Sequence, residues 1–347
     1  MAAAPFLDAA FGRPSTHTPV WFMRQAGRSL PEYRALRGDG SILDAIKRPD
    51  LAAELTLQPV RRYGVDAAVL FSDIVVPAHA VGFGIDVAPG TGPVCAQPLR
   101  TSADLARLRP FVALADAPYV TETVRQLADE LPPEVPLLAF AGAPFTVASY
   151  LIEGRPSKTY AHTKRMMHED PQLWHDVMDR LAQHAVESIS SQLLAGASAF
   201  QLFDSWAGAL SAADYQQLVL PYSTAVFGAL GKAFPDAPGI HFGVGCDHLL
   251  EYMHAAGPAV LGLDWRTPIA QARVRMGDDL VVQGNLDPAL VLAGANTALA
   301  GTRAVLADNG GHSGHIFNLG HGVQPEADPA VLAAIVDLVH QYDGPSA

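Results

Sequence analysis

Short apolar runs recur along the chain, and each of them ends in a polar or glycine-rich turn. Runs of this length, closed by turn residues, are typical of parallel strands that are buried on both faces. The pattern predicts eight such strands, at Val20 to Met23, Ala67 to Phe71, Pro136 to Phe140, Phe200 to Phe203, Ile240 to Phe242, Ala259 to Leu263, Leu280 to Val282, and His315 to Phe317.

Helical patterns separate these runs, as in Leu173 to Leu194 and Leu249 to Ala256. Strands that alternate with helices indicate βα units and a parallel sheet. Eight units predict an α/β fold, a single (β/α)8 TIM-type barrel whose active-site cleft lies at the C-terminal ends of the strands. A doubly wound open sheet is the competing architecture, because strands are easily miscounted in one sequence.

Nothing in the composition divides the 347 residues into two halves, since no Pro/Ser/Gly linker interrupts them. We expect one domain over 1–347, with a short N-terminal extension at 1–17 and a C-terminal tail at 341–347. No apolar run approaches the roughly 20 residues that span a bilayer. Met1 to Ala10 also lacks the regions of a signal peptide. These features predict a cytoplasmic protein without a membrane partner.

The formal net charge of −12 disfavours nucleic acid as a partner, because no long Lys/Arg run offsets it. Only Cys95 and Cys246 occur, too few for a disulfide framework and unlike the paired cysteines of a zinc ribbon. We therefore expect no metal and no redox chemistry.

Polar residues at the predicted strand ends are more informative than the strands, because a barrel builds its active site from these loops. If the barrel is correct, they converge on one mouth. The strings are Arg24 to Arg28, Ser72-Asp73, Ala141 to Phe145, Asp204-Ser205, Gly243, Asp264-Trp265, Gly284 to Asp287, and Gly320 to Gly322.

Arg24 and Arg28 bracket a Gln-Ala-Gly step that would let both guanidinium groups turn toward one pocket. Guanidinium forks bind carboxylates and phosphates, and the glycines nearby do not follow a nucleotide-binding spacing. Carboxylate recognition is therefore the preferred interpretation. The alternative is that both arginines form surface ion pairs with Glu32, Asp39 or Asp44.

Asp73 directly follows an apolar run, so its carboxylate is expected at the floor or rim of the mouth, where it needs a donor or a cation. It could cap the next helix or pair with an arginine. It could also accept N–H groups of a ligand and stabilise a positive intermediate. We consider it the best single candidate for chemistry.

His321 lies between two glycines, which allow close approach of a ligand. It could bind a carboxylate or transfer protons near neutral pH. Tyr150 and Ser205 are weak signals alone, since such residues usually pack or cap. By default we interpret the remaining strand-end carboxylates as caps or rim ion pairs and the paired methionines as core; these are Asp204, Asp264, Asp287, Met166 and Met167.

Taken together and in order, these strings resemble the uroporphyrinogen decarboxylase family from about Pro19 to about His340. They are PVWFMRQAGRSLPEYR, ELTLQPVRRYGVDAAVLFSDI, FAGAPFTVASYLIEG, QLFDSWAG, GLDW, QGNLDP and NLGHG. The combination of RQAGR, FSDI and NLGHG is much more specific than any one string. The resemblance implies a single (β/α)8 barrel that works as a homodimer without metal or organic cofactor. It also implies decarboxylation of the four acetates of uroporphyrinogen III to methyls, giving coproporphyrinogen III in haem biosynthesis.

The same resemblance assigns the site residue by residue. Its catalytic set would be Asp73, Arg24, Arg28, Tyr150 and His321, and substrate would also touch Gln25, Ala26, Gly27 and Ser205. Arg24, Arg28 and His321 would hold the carboxylate rim of the tetrapyrrole, and Asp73 would accept its pyrrole N–H groups. Ser29 and Arg155 depart from residues that many members have, which puts loop details in doubt.

Two other functions stay open at this point. A methyltransferase of the same barrel superfamily would need clustered Cys and His ligands for zinc, and here only His241 and Cys246 are close in sequence. A tetrapyrrole carrier without catalysis would keep the arginines and tolerate loss of Asp73.

Overall fold

The protein is described by a computed structural model that covers residues 4–38, 40–88 and 90–343. Positions 1–3 and 344–347, which belong to the expected extension and tail, and Asp39, a proposed ion-pair partner, lie outside the described residues. The strands are β1 (Ala68–Val69), β2 (Ile85–Ala88), β3 (Gly92–Cys95), β4 (Leu137–Gly142), β5 (Ala199–Asp204), β6 (Gly239–Gly243), β7 (Val260–Gly262), β8 (Val282–Gln283) and β9 (His315–Ile316).

Helices follow the strands along the chain, together with short 3₁₀ helices at Ala207–Ala209 and Asp247–Leu249. They are α1 (Pro5–Ala10), α2 (Pro31–Arg37), α3 (Ile42–Ile46), α4 (Pro49–Tyr63), α5 (Val76–Ala80), α6 (Ser102–Leu105), α7 (Ala113–Asp116), α8 (Pro118–Glu130), α9 (Pro144–Glu153), α10 (Ala161–Glu169), α11 (Pro171–Ala195), α12 (Ala212–Leu218), α13 (Leu220–Ala233), α14 (Leu250–Ala255), α15 (Ile269–Met276), α16 (Pro288–Leu292), α17 (Ala295–Asp308) and α18 (Pro329–His340).

Seven of the strands form one curled, all-parallel sheet in the order β1-β4-β5-β6-β7-β8-β9 among the described residues. Strands that follow one another in the sheet are joined by helices, as parallel connections require. The sheet is buried: every residue of β4 and β6 is inaccessible to solvent or nearly so. The α/β class and seven of the predicted strands are thus confirmed, with ends that move by a few residues.

The predicted first strand, Val20 to Met23, forms only an isolated parallel bridge between Val20 and Phe317. Side chains replace part of the strand ladder here. Asp66 accepts the N–H of Val20 at 2.7 Å, and the N–H of Met23 goes to Asn318 Oδ1 at 3.1 Å. The prediction of a regular strand was wrong because polar side chains compete with backbone carbonyls for these donors.

The same segment is nevertheless hydrogen-bonded to both ends of the sheet. Phe317 N–H donates to Pro19 O at 2.8 Å on the β9 side, and Asp66 N–H donates to Val20 O at 2.8 Å on the β1 side. Inside the curl, Trp21 Nε1 donates to Gln283 Oε1 at 2.9 Å. Residues 19–21 therefore lie between the two edge strands.

The predicted N-terminal extension contains the helix α1, whose Phe6 is completely buried. It packs against β9, and Ser313 Oγ donates to Gly12 O at 3.2 Å. This part of 1–17 thus contributes to the core. The antiparallel hairpin β2–β3 was not predicted, since it interrupts the βα alternation.

Met166 and Met167 are buried at 7% and 1% exposure, which confirms them as core residues. Among the helices that the structure describes, none is long and apolar enough to cross a membrane.

Candidate active site

The polar residues that follow the strands lie at one end of the curled sheet. Arg24 follows the segment 19–23, Asp73 follows β1, Tyr150 lies on the helix after β4, and His321 follows β9. Because the strands are parallel, their C-terminal ends share one edge. We call the surroundings of these four side chains the mouth.

Asp73 is half-buried just beyond β1. Its Oδ1 accepts the N–H of Val75 at 3.0 Å, so the capping alternative is partly realised. Its other oxygen has no hydrogen-bond donor in the described part of the chain. Burial raises the pKa of the Asp73 carboxyl above its ordinary value, while the Val75 N–H and the charge of Arg24 oppose that rise. The site thus holds a carboxylate that lacks part of its solvation.

The positive charge of Arg24 influences the three other side chains of the mouth, because it acts on the pKa values of Asp73, Tyr150 and His321. Its φ of +61° is unusual for a residue with a side chain. A Cβ on Gly322 would come within 2.6 Å of Arg24 Cδ, so a larger residue there would force the Arg24 side chain to move. The glycine after His321 therefore makes room for Arg24, and strain of this kind is common at functional sites.

The ion-pair alternative for the arginines is wrong for the residues that can be checked. Glu32 pairs with Arg62 at 3.4 Å, and Asp44 lies 3.8 Å from Lys47. Arg24 and Arg28 are exposed and form no ion pair within 4–38, 40–88 and 90–343. Two guanidinium groups are therefore available to an anionic ligand.

The charge of Arg28 acts on a different group from those that Arg24 influences. Its charge acts on the pKa of Tyr33, on α2, rather than on Asp73. Its backbone carbonyl accepts a hydrogen bond from Arg34. The two arginines are thus not equivalent, although the sequence spacing treats them alike.

Tyr150 is buried on α9 and packs edge-on against Trp206, with ring centroids 6.1 Å apart. Burial raises the pKa of its hydroxyl above the ordinary value. Tyr150 is consequently a neutral hydrogen-bonding group, and Trp206 is a mouth residue that the sequence interpretation missed. Its signal was its position two residues after the end of β5.

His321 is neutral at physiological pH. Burial, with the positive charge of Arg24, lowers the pKa of its imidazole to about 4. The N–H of Gly322 donates to His321 Nδ1 at 2.6 Å, so the ring proton of the neutral form resides on Nε2. The expected contact of His321 with the carboxylate rim stays a prediction, but the ring would not make it as a cation. The imidazole can still donate a neutral hydrogen bond.

Between the two arginines, the Gln25 side chain forms its hydrogen bonds within the protein. Gln25 is buried, its Oε1 accepts the N–H of Phe22 at 3.0 Å and its Nε2 donates to Ala67 O at 3.1 Å. That side chain cannot reach a ligand. Ala26 and Gly27 are half-buried, and Ser205 is half-buried beyond β5; their contacts with substrate stay predictions.

A further cation near His321 was also missed. The guanidinium of Arg266 stacks on Trp265 at 3.9 Å and pairs with Asp264 at 2.5 Å. Its charge lowers the pKa of His321. Arg266 followed the strand-end pair Asp264-Trp265 in the sequence, so position alone could have identified it.

The default interpretation of the other strand-end carboxylates holds for two of them. Asp264 forms the rim ion pair with Arg266, and Asp287 caps α16 by accepting the N–H of Ala289 at 2.9 Å. Asp204 is neither a cap nor a rim group, because it is fully buried.

Metal-ligand geometry occurs at the opposite end of the sheet, where His17, Asp66 and His340 bring donor atoms within 4.8 Å of one another. Each imidazole Nε2 lies 2.8 Å from a different oxygen of Asp66. The carboxylate is already saturated by these contacts and by Val20 N–H, so the cluster needs no ion. Cys95 and Cys246 are buried, and burial raises the pKa of both thiols, which disfavours the thiolate that zinc requires.

The chain is similar to known proteins over nearly its whole length. The family model described as uroporphyrinogen decarboxylase (URO-D) matches residues 1–342. A uroporphyrinogen decarboxylase from Salinispora tropica is 54% identical, over 98% of this chain and 91% of the relative. One from Mycobacterium bovis is 52% identical over 97% of both chains. A methyltransferase from Methanosarcina mazei superposes with a TM-score of 0.79 over 96% of this chain and 97% of that one, at 18% identity, which shows similarity of fold alone.

Proposed function

The chain belongs to the uroporphyrinogen decarboxylase family, and from this premise we propose that Asp73 and Arg24 carry the central step of its reaction. The activity is that of a carboxy-lyase of haem biosynthesis, which removes carboxyl groups from uroporphyrinogen. The observation that carries the proposal is a half-buried carboxylate with one free oxygen beside an unpaired guanidinium.

The substrate has the complementary charges. A reduced tetrapyrrole carries carboxylates around its rim and pyrrole N–H donors at its centre. Asp73 accepts the N–H groups through the oxygen that Val75 leaves free. Arg24 and Arg28, which form no ion pair within the described residues, supply cations for the rim carboxylates. Binding therefore places the Asp73 carboxylate under the centre of the ring.

Each decarboxylation needs a sink for an electron pair. A proton added to a pyrrole ring carbon gives an iminium-like cation. The bond between the acetate methylene and its carboxylate then breaks, carbon dioxide leaves, and the bonding pair neutralises that cation. A proton then adds at the methylene carbon and the ring carbon loses its proton, so one carboxylate and one proton become a methyl group and carbon dioxide.

Asp73 lowers the barrier because its negative charge faces the cation as it forms. Such a preorganised charge contributes about 3 kcal/mol in a site poor in water. Its raised pKa means that burial disfavours the charged form of the Asp73 carboxyl. Hydrogen bonds from the substrate N–H groups relieve that penalty. Arg24 stays protonated and holds the reacting carboxylate.

Tyr150, Ser205 and the neutral His321 complete the site as hydrogen-bonding groups. His321 donates from Nε2 to a rim carboxylate, and the Tyr150 hydroxyl, on which the charges of Asp73 and Arg24 act, donates to another. The backbone of Gln25, Ala26 and Gly27 passes under the substrate.

We further propose that residues 19–23 close the sheet in the position of an eighth strand, giving a (β/α)8 barrel. The hydrogen bonds of Pro19 and Val20 to both edge strands support this. The barrel is one domain over 1–347 that works in the cytosol as a homodimer, without metal or organic cofactor.

A zinc methyltransferase is disfavoured because the buried Cys246 thiol has a raised pKa. A tetrapyrrole carrier would have no use for a desolvated carboxylate such as Asp73.

The test is an anaerobic assay of purified, metal-chelated protein with uroporphyrinogen III, in which carboxyl loss is followed by chromatography of the oxidised products. We expect stepwise products that end at coproporphyrinogen III. Tight binding without turnover would support the carrier instead. Turnover that requires added metal would contradict the cofactor-free reaction.

A further inference from the structure

Asp204 and His241 form a buried pair beneath the mouth that the proposed reaction does not use. Asp204 ends β5, His241 lies within the neighbouring β6, and both side chains are completely buried. Asp204 Oδ2 and His241 Nε2 are 3.8 Å apart. Neither atom has a hydrogen-bond partner within the described residues.

The protonation of His241 follows from its other nitrogen. His241 Nδ1 lies 3.2 Å from the carbonyl oxygen of Met253, which can only accept, so Nδ1 carries a proton. In a neutral ring Nε2 would then present a lone pair toward Asp204. A carboxylate facing that lone pair in an apolar interior would leave two acceptors and a charge unsatisfied, which is strongly unfavourable.

The groups around the pair do not supply the missing charge. Asp204 raises the pKa values of Tyr215 and Cys246, which burial also raises, so both stay neutral. Phe227 packs on the imidazole with ring centroids 5.1 Å apart. A single proton between Asp204 and His241 resolves the conflict, and a shift of about 1 Å brings the two atoms to hydrogen-bond distance.

The carboxylate is also connected to the mouth. Thr146 Oγ1 donates to Asp204 Oδ1 at 2.9 Å and accepts the N–H of Trp206 at 3.2 Å. Thr146 lies one helical turn before Tyr150 on α9, and Trp206 packs on Tyr150. Asp204 thus fixes both elements that carry these two rings.

We propose that Asp204 and His241 hold one shared proton, and that this pair positions Tyr150 and Trp206 for decarboxylation. The positioning role rests on the proposed function, whereas the shared proton does not. Asp204 is then a positioning residue, because it acts through Thr146 and does not touch substrate.

Proton NMR of protein with ¹⁵N-labelled histidine tests the shared proton without any assay. We expect a far-downfield, slowly exchanging proton with a cross-peak to the His241 ring in the wild type, absent in Asp204→Leu. If that resonance is missing while the His241 Nδ1–H is visible, the shared proton is wrong.

Turnover of matched variants tests the positioning. In Asp204→Asn an amide N–H replaces the shared proton, so kcat should stay close to that of the wild type. Asp204→Leu and Thr146→Val should each lower kcat by about 10- to 100-fold with little change in KM, because Tyr150 and Trp206 lose their common support. Thr146→Val should keep the downfield proton.

The control is Thr302→Val, which removes a buried hydroxyl that bonds only to its own helix, at Ala298 O. Circular dichroism checks that each variant folds. Wild-type kcat in Thr146→Val would overturn the positioning role, and equal losses in Asp204→Asn and Asp204→Leu would overturn the shared proton. An inactive wild-type protein would overturn the proposed function and the positioning role together, while the resonance still decides the shared proton.

Discussion

Asp66 and Asp73 stand on either side of the same strand, β1, and their environments are opposite. Asp66 lies at the entrance of the strand, where two imidazoles and the N–H of Val20 donate to it. These hydrogen bonds outweigh burial and lower its pKa. Asp73 lies at the exit with one backbone donor, and burial raises its pKa.

The difference separates two uses of a carboxylate. The saturated one joins the segment before residue 19, β1 and the end of α18, so it stabilises the fold. The unsaturated one costs stability and has hydrogen-bonding capacity left for a ligand. Under the proposed function, the two ends of the sheet thus divide stability from chemistry.

Exchanging Asp73 for asparagine tests the chemical side of this contrast and should have the largest effect. Asp73→Asn keeps the shape and removes the charge, so kcat should fall about 100-fold or more. Single-turnover decarboxylation measures it, and Asp66→Asn is the matched control. Equal turnover in the wild type and Asp73→Asn would place the key group elsewhere.

The structural side is tested by Asp66→Asn. The amide cannot accept from His17, His340 and Val20 together, so the free energy of unfolding should fall by about 2 kcal/mol. Urea denaturation measures it, and Asp129→Asn on the exposed face of α8 is the control. Activity of the folded variant should not change, and a loss of kcat would contradict the division of roles.

The arginines test how far the charge of Asp73 depends on its neighbour. Arg24→Ala and Arg28→Ala should each weaken substrate binding by about tenfold, because each removes a carboxylate anchor. Arg24→Ala should also lower kcat, since Arg24 is the one whose charge acts on Asp73. Arg61→Ala, in an exposed pair with Glu54, is the control. Unchanged affinity in both variants would exclude the anchoring role.

His321→Asn should be milder than Asp73→Asn, with turnover reduced by about tenfold through loss of one hydrogen bond to a charged group. Because its pKa is about 4, His321 should leave no ionisation in the pH profile of kcat/KM between 6 and 8. The profile of the variant should therefore match the wild type in shape. The reverse ranking of the two variants in single-turnover assays would show that His321 is the central group.

The smallest expected effect is the change in the free energy of unfolding with pH. The pKa of Asp66 is lowered on folding, so its contribution is complete above about pH 4 and is lost as the pH falls through its folded pKa. The pKa of Asp73 is raised, so ionisation destabilises the folded protein as the pH rises above about 4. Urea unfolding from pH 3 to 7 should make Asp73→Asn more stable than the wild type at neutral pH and equal to it in acid. A variant less stable than the wild type at pH 7 would contradict this sign.

Most of the fold was predictable because buried parallel strands have a local signature. The runs at 137–142, 199–204 and 239–243 are apolar, short and closed by turn residues. The segment Val20 to Met23 has the same signature, but Asp66, Gln25 and Asn318 accept its N–H groups. Two of these acceptors are distant in sequence, so no local pattern could report them.

The candidate site was likewise predictable only in part. The positions of Asp73, Arg24 and His321 at strand ends came from the sequence. The roles of Trp206 and Arg266 did not, since each depends on a neighbour from another loop.

The sequence by itself determined the α/β class, the order of the seven parallel strands, the family and the residues that follow those strands, because all of these are properties of local pattern and of order along the chain. Only the tertiary structure decided the protonation and partners of those residues. It made His321 neutral beside Arg24, saturated Asp66, left Asp73 unsaturated and buried Asp204 against His241. The physical reason is that desolvation and charge interactions depend on distances between segments that the chain brings together only when it folds.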